Sequence, residues 1–125
     1  MNNIVDSSGW LEYFAGSANA AFFAPPIENV SRLIVPSITI LEVFKRVLLT
    51  RGKADALTAA AHMQQGRVVD LDQGLAIEAA VLGIELKLPL ADSVVLATAR
   101  RHSATLWTQD ADFNHIAGVQ FIGKK

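Results

Sequence analysis

The sequence predicts an α/β fold: a central, mainly parallel five-stranded sheet with helices on both faces. Two observations carry this. Five short apolar or β-branched runs recur along the chain, and the stretches between them have helical periodicity with capping residues at their ends. Half of the 125 residues are apolar, enough for one sizeable core, so a single domain over residues 1–125 is expected.

Asn3-Ile4-Val5 is the first strand. Asp6-Ser7-Ser8 then offers caps for a helix from Gly9 to Ala15, stopped by Gly16. Phe22-Phe23-Ala24-Pro25-Pro26 breaks the pattern, and a short helix or turn leads to the second strand, Leu33-Ile34-Val35. Pro36-Ser37 opens a helix to Arg51 with Gly52 as its stop, and Lys53 to Gln65 forms another, ended by Gly66. Val68 to Leu71 is the third strand, Asp72 a cap, and Gln73 to Leu86 a helix with an almost continuous apolar face. After Pro89 a helix covers Ala91 to His102, and Thr105-Leu106-Trp107 and Val119 to Ile122 complete the strands. Strands alternating with helices argue for right-handed crossovers and a sheet buried on both faces.

The absence of cysteine excludes disulfides, thiolate zinc sites and a cysteine nucleophile, so any metal takes oxygen or imidazole ligands. With 11 basic and 12 acidic side chains, the net charge of -1 gives no general attraction for nucleic acid. A phosphate substrate would need a metal or a local basic patch. No apolar run approaches the roughly 18 residues of a membrane helix, and Met1 to Asp6 lacks signal-peptide character, so a cytoplasmic location without membrane attachment is expected. The chain also has no P-loop lysine motif, dinucleotide glycine fingerprint or Gly-x-Ser-x-Gly elbow.

Four carboxylates, Asp6, Glu42, Asp92 and Asp110, fall where a strand has ended or a helix has begun. In an open parallel sheet ligands bind beyond the carboxyl ends of the strands, which places all four at one edge. Carboxylates about 4 Å apart repel by about 4 kcal/mol per pair at an effective dielectric near 20. One must then take up a proton or a cation must lie between them. Asp6 directly follows the first strand; its bland role is a helix cap, which Ser7 or Ser8 would fill equally well. Glu42 sits in a polar stripe with Thr39, Lys45 and Arg46, opposite Ile38, Leu41, Phe44 and Leu48. An exposed Glu42 to Arg46 pair worth about 0.2 to 0.5 kcal/mol explains it as well as a site does. Asp92 leads the apolar stripe Val95, Leu96, Ala99, a direction that a first-turn acid at the helix dipole does not explain. Asp110 ranks ahead of Asp112, which reads as a cap for a short helix through Phe113 and Asn114 and is held in reserve as a ligand. Asp70 and Asp72 stay outside the site, and His62, His102 and His115 read as surface histidines. Oxygen ligands alone favour Mg²⁺ or Mn²⁺ over zinc.

Taken in order, the blocks Ile4 to Ser8, Pro36 to Val43, Leu90 to Ala99 and Trp107 to Phe113 resemble the PIN-domain ribonucleases, in particular the VapC-like toxins of toxin-antitoxin pairs. The resemblance covers essentially the whole chain; each block is weak, but four in order are specific. It implies a PIN-like three-layer α/β/α sandwich. It further implies that Asp6, Glu42, Asp92 and Asp110 form the acidic quartet holding Mg²⁺ or Mn²⁺, with Ser7 or Thr108 supporting it by hydrogen bonds. The implied activity is hydrolysis of RNA phosphodiesters, and the implied partners are a cognate antitoxin and a second copy of the chain. Lys45 and Arg46 would contact RNA phosphates, whereas Arg100 and Arg101 read as solvated charges two turns from the acidic edge. Trp10, Tyr13, Phe14, Phe22 and Phe23 would supply a partner groove or core.

Two rivals have a sequence basis. A receiver-like phosphoryl-transfer domain would use Asp70 as phosphoacceptor but leaves Glu42 and Asp92 without a task, and the dehalogenase pattern fails because position 8 is Ser8. A PIN-fold interaction module without catalysis gives no reason to keep four mutually repelling acids.

Overall fold

In the computed structural model, which describes all of Met1–Lys125, the strands are β1 (Asn3–Val5), β2 (Leu33–Pro36), β3 (Arg67–Val69), β4 (Thr105–Thr108) and β5 (Val119–Phe121). The helices are α1 (Ser7–Ala15), α2 (Ala20–Glu28), α3 (Ser37–Arg51), α4 (Lys53–Met63), α5 (Gln73–Leu86) and α6 (Leu90–Arg101). The strands form one sheet in the order β3-β2-β1-β4-β5, and every neighbouring pair is parallel. Central β1 sets Ile4 against Ile34 on one side and Leu106 on the other. The chain builds outward from β1 through β2 and β3, then returns to place β4 on its opposite side. The point of reversal, where open α/β sheets bind ligands, therefore lies between β1 and β4. A receiver-type sheet has the order 2-1-3-4-5, which this sheet does not have.

Alternation along the strands divides the core. Val5, Leu33 and Val35 join Trp10, Phe23, Ile27, Val43, Val47 and Met63 on the face covered by α1 to α4. Ile4, Ile34 and Leu106 join Val95, Leu96, Ala99 and Phe113 on the other. Leu75 and Ala79 of α5 pack on Val94 and Ala97 of α6, so every residue of α6 from Ser93 to Ala99 is buried. An all-round buried helix makes a rigid mount for the carboxylate in its first turn. No helix is long and apolar enough to cross a membrane.

Three expectations change. The Phe22 to Pro26 stretch lies inside α2 rather than breaking the helix before it. Pro25 and Pro26 lack the N–H groups that would reach back one turn, and the burial of Phe23, Pro26 and Ile27 offsets that loss. On α3 the buried stripe is Thr39, Val43 and Val47, while Leu41 and Leu48 are 59% and 42% exposed. Thr39 can be buried because its hydroxyl donates to the Pro36 carbonyl at 2.6 Å. The third strand starts at Arg67 and ends at Val69, leaving Asp70 and Leu71 outside it. Its last partner is Pro36, which has no N–H to extend the ladder.

Close packing of α1 gives a test. A Cβ on Gly9 would stand 2.6 Å from both the Phe23 ring and Val5 Cγ1. Gly9→Ala is therefore expected to cost roughly 1 to 3 kcal/mol by overpacking, read as a lower urea midpoint with unchanged slope.

Candidate metal and active site

Pairing of β1 with β4 aligns Val5 with Trp107, and the Asp6 N–H donates to the Trp107 carbonyl at 3.2 Å. The next side chains, Asp6 and Thr108, thereby meet at the point of reversal. Asp6 is 3% exposed. Its Oδ1 accepts from Ser8 Oγ at 2.7 Å and from the Gly9 N–H at 3.0 Å, and its Oδ2 accepts from Thr108 Oγ1. Asp6 is thus the cap of α1 and also part of the acidic edge. Burial lifts its pKa to about 6 against the pull of these three bonds, and nearby Asp110 adds to the rise.

Thr108 Oγ1 also accepts the Asp110 N–H at 2.9 Å. Asp110 Oδ1 in turn accepts the Asp112 N–H at 2.9 Å and caps the single 3-10 turn Ala111–Phe113, which fully buried Phe113 anchors. The cap expected of Asp112 is made by Asp110. Freed from capping, the Asp112 carboxylate joins Asp92 and Asp110: one oxygen from each lies within 4.8 Å of the others.

Asp92 stands in the first turn of α6, after Pro89, which supplies no side-chain cap. Its pKa rises to about 7, first through burial and then through Asp110, Asp6, Asp112 and Glu42 in that order. The structure therefore gathers all four expected acids plus the reserve, with Asp92, Asp110 and Asp112 innermost, Asp6 sequestered by its donors, and Glu42 outermost in its effect on Asp92. None of them takes part in an ion pair; the three pairs present are Arg51–Asp55, Arg101–Asp72 and Arg101–Glu78.

This donor set suits a hard divalent cation. Mg²⁺ takes oxygen ligands at about 2.1 Å, and the three carboxylates, with one oxygen each within 4.8 Å of the others, are near enough to converge on one ion by side-chain adjustment. Burial is the larger cause of the Asp92 shift, and the repulsion from neighbouring acids that adds to it is what such an ion would relieve.

Other expected residues lie elsewhere or differ in detail. The hydroxyl that supports Asp6 beside α1 is that of Ser8 rather than Ser7; two adjacent serines leave the choice to helix geometry. Arg46 lines a groove of about 750 Å³ between α1, α3 and α4, with Phe14, Val47, Arg51 and His62 among its walls and none of the five clustered acids. Lys45 is exposed. Asp72 caps α5 through the Leu75 N–H and pairs with Arg101 at 3.2 Å. His62 is half-buried, its ring centroid 5.4 to 6.1 Å from those of Trp10, Tyr13 and Phe14. Trp10 and Phe23 are fully buried, so neither lines a partner groove.

Thr108→Val is expected to strip a partner from Asp6 and another from the Asp110 N–H. A buried group left without its hydrogen bond costs about 1 to 3 kcal/mol, to be measured by urea unfolding in EDTA.

No curated protein matches the chain. Among solved structures, a toxin-antitoxin complex from Klebsiella pneumoniae contains a chain 26% identical, with TM-score 0.77 over 95% of this chain and 96% of that one. The Mycobacterium tuberculosis toxin VapC20, described as cleaving the sarcin-ricin loop, is 18% identical with TM-score 0.76 over 93% and 95%. DNA-bound VapBC from Salmonella typhimurium gives 17%, 0.74 and 98% of both chains. At those identities the last two show likeness of fold alone. The PIN domain family model matches residues 4–119, nearly the whole sheet and every acid described above, and the chain belongs to the PIN domain family.

Proposed function

We propose that this protein is a metal-dependent endoribonuclease and the VapC-like toxin of a toxin-antitoxin pair. The observation that carries the proposal is the unpaired acidic group at the point of reversal of a PIN-family sheet, where Asp92, Asp110 and Asp112 approach within 4.8 Å. Asp92, Asp110 and Asp112 would hold Mg²⁺ or Mn²⁺, with Asp6 and Glu42 completing the negative field. When bound, such an ion activates water and stabilises charge on a scissile phosphodiester. The chain's own residues do the positioning: Thr108 ties Asp6 to the backbone of Asp110, and the buried helix α6 fixes Asp92. One of the carboxylates would take the proton released by attacking water, and Glu42, whose charge also acts on Asp92, is the proposed acceptor. With a net charge of -1, attraction of RNA depends on that ion and on local cations, for which Lys45 and Arg46 are the proposed pair.

The toxin reading is supported by the likeness to the Klebsiella complex, and it entails a cognate antitoxin. A homodimer is supported by the strip Ile77, Val81 and Ile84 on α5, which is 62%, 51% and 82% exposed. Ile84→Lys is expected to shift the protein to monomers in sedimentation equilibrium.

The activity test is cleavage of a labelled structured RNA with Mn²⁺, with Mg²⁺ and with EDTA, beside Asp110→Asn purified identically. Cleavage that needs metal and vanishes in the folded variant is expected. Equal cleavage by both proteins would mean a contaminating nuclease and would sink the assignment.

A further inference from the structure

Asp110 has no regular secondary structure to hold it: it lies two residues beyond Thr108, the end of β4, in extended conformation and precedes a single 3-10 turn. Extended backbone sends successive side chains to opposite sides. Thr108 points to Asp6, so Gln109 turns the other way. There it is 8% exposed and gripped at both ends of its amide. Asn19 Nδ2 donates to Gln109 Oε1 at 3.0 Å, and Gln109 Nε2 donates to Glu12 Oε1 at 3.2 Å. Glu12 Oε2 accepts the Asn19 N–H at 2.9 Å, which closes the ring of contacts. Asn19 also donates to the Gly123 carbonyl at 3.1 Å.

This network is costly as a mere glue. Asn19 is 2% exposed, and its Oδ1 has no hydrogen-bond partner. A buried orphan acceptor weakens a fold, and an apolar contact between α1 and β4 would avoid it. What apolar packing would not supply is direction. Two amide hydrogen bonds fix the plane of Gln109, and with Thr108 locked on the other side the backbone leading into Asp110 is held from both faces.

Resting on the metal reading above, we infer that Gln109, clamped by Glu12 and Asn19, is a positioning residue that sets the Asp110 carboxylate for the ion. Groups that orient metal ligands typically change affinity 10- to 100-fold when removed. The test is Mn²⁺ affinity of the intact protein, followed by loss of the free-ion electron paramagnetic resonance signal, with melting in EDTA measured alongside. Gln109→Met keeps the length and the neutral charge but loses both hydrogen bonds. It is expected to weaken Mn²⁺ binding about tenfold. Asn19→Ala, which leaves the Gln109 to Glu12 bond intact, should weaken it less and serves if Gln109→Met does not fold. Tyr13→Phe, which removes the 2.9 Å bond from Tyr13 to Glu28 between α1 and α2, should leave Mn²⁺ affinity unchanged.

Wild-type protein that binds Mn²⁺ and a Gln109→Met variant that binds it equally would overturn this inference alone. So would equal weakening in Gln109→Met and Tyr13→Phe, which would reduce the network to a dock for α1. Failure of the wild type itself to take up Mn²⁺ would overturn the metal reading and this inference together.

Discussion

Asp92→Asn is expected to lower RNA cleavage by about 100-fold or more and, in EDTA, to raise the melting temperature by roughly 3 to 8 °C. The two effects have one cause. Asparagine keeps the size of the side chain and removes the charge that a cation needs. The same charge is a burden without the cation, because it is partly buried and faces Asp110, Asp6, Asp112 and Glu42. A carboxyl moved from 3.8 to about 7 withdraws on the order of 4 kcal/mol from the ionised folded state. Asp92 is only partly buried, so solvent screening reduces this to roughly 1 to 2 kcal/mol. A first-turn acid that merely complements the helix dipole would behave oppositely, with a loss of about 0.3 to 1 kcal/mol on neutralisation. Differential scanning fluorimetry in EDTA separates the two by sign: a lower melting temperature for Asp92→Asn would make Asp92 an ordinary helix-start acid.

The parts of this site that are legible in the sequence are those fixed by one element. Asp6 follows an apolar strand, and Asp92 heads a stripe of Val95, Leu96 and Ala99 that has to be buried. The remainder depends on contacts between elements far apart in the chain. Either Asp110 or Asp112 is able to cap the turn before Phe113, and the choice rests with Thr108, whose hydroxyl is oriented by Asp6 about a hundred residues earlier. Once Asp110 takes the cap, Asp112 is released toward the ion site, an exchange that local spacing does not encode. Helix α2 is hidden for a related reason: two prolines speak against a helix locally, and only the burial of Phe23 and Ile27 beneath it reverses that preference. On α3 the exposed Leu41 and Leu48 give as strong an apolar signal as the buried Val43 and Val47, and burial of Thr39 becomes acceptable through its bond to the Pro36 carbonyl.

Metal-free protein is expected to lose stability as pH rises from 5.5 to 8, and Mn²⁺ is expected to restore more at pH 8 than at pH 5.5. Asp6 and Asp92 have folded-state pKa values raised to about 6 and about 7 from 3.8. Between 3.8 and those values the folded state binds more protons than the unfolded chain, so the slope of unfolding free energy with pH is negative. The contribution is fully present below 3.8 and is lost as pH climbs through 6 and 7. For buried Asp6 the whole loss, from pH 3.8 to above 6, is on the order of 3 kcal/mol, of which roughly 1 kcal/mol falls between pH 5.5 and 8, and Asp92, titrating inside that window, adds its screened share. The lowered pKa of Asp72, held down by the Leu75 N–H and Arg101, acts below 3.8, and the raised pKa of Tyr13 acts above 10, so neither contributes in this window. Protons and metal compete for the same oxygens. Mn²⁺ at a fixed concentration should therefore flatten the pH profile, through tighter binding where the carboxylates are already ionised. Melting curves at pH 5.5 and 8, each with EDTA and with Mn²⁺, decide the matter. Greater metal-free stability at pH 8, or the same gain from Mn²⁺ at both values, would mean that the acids are not coupled through a shared ion site.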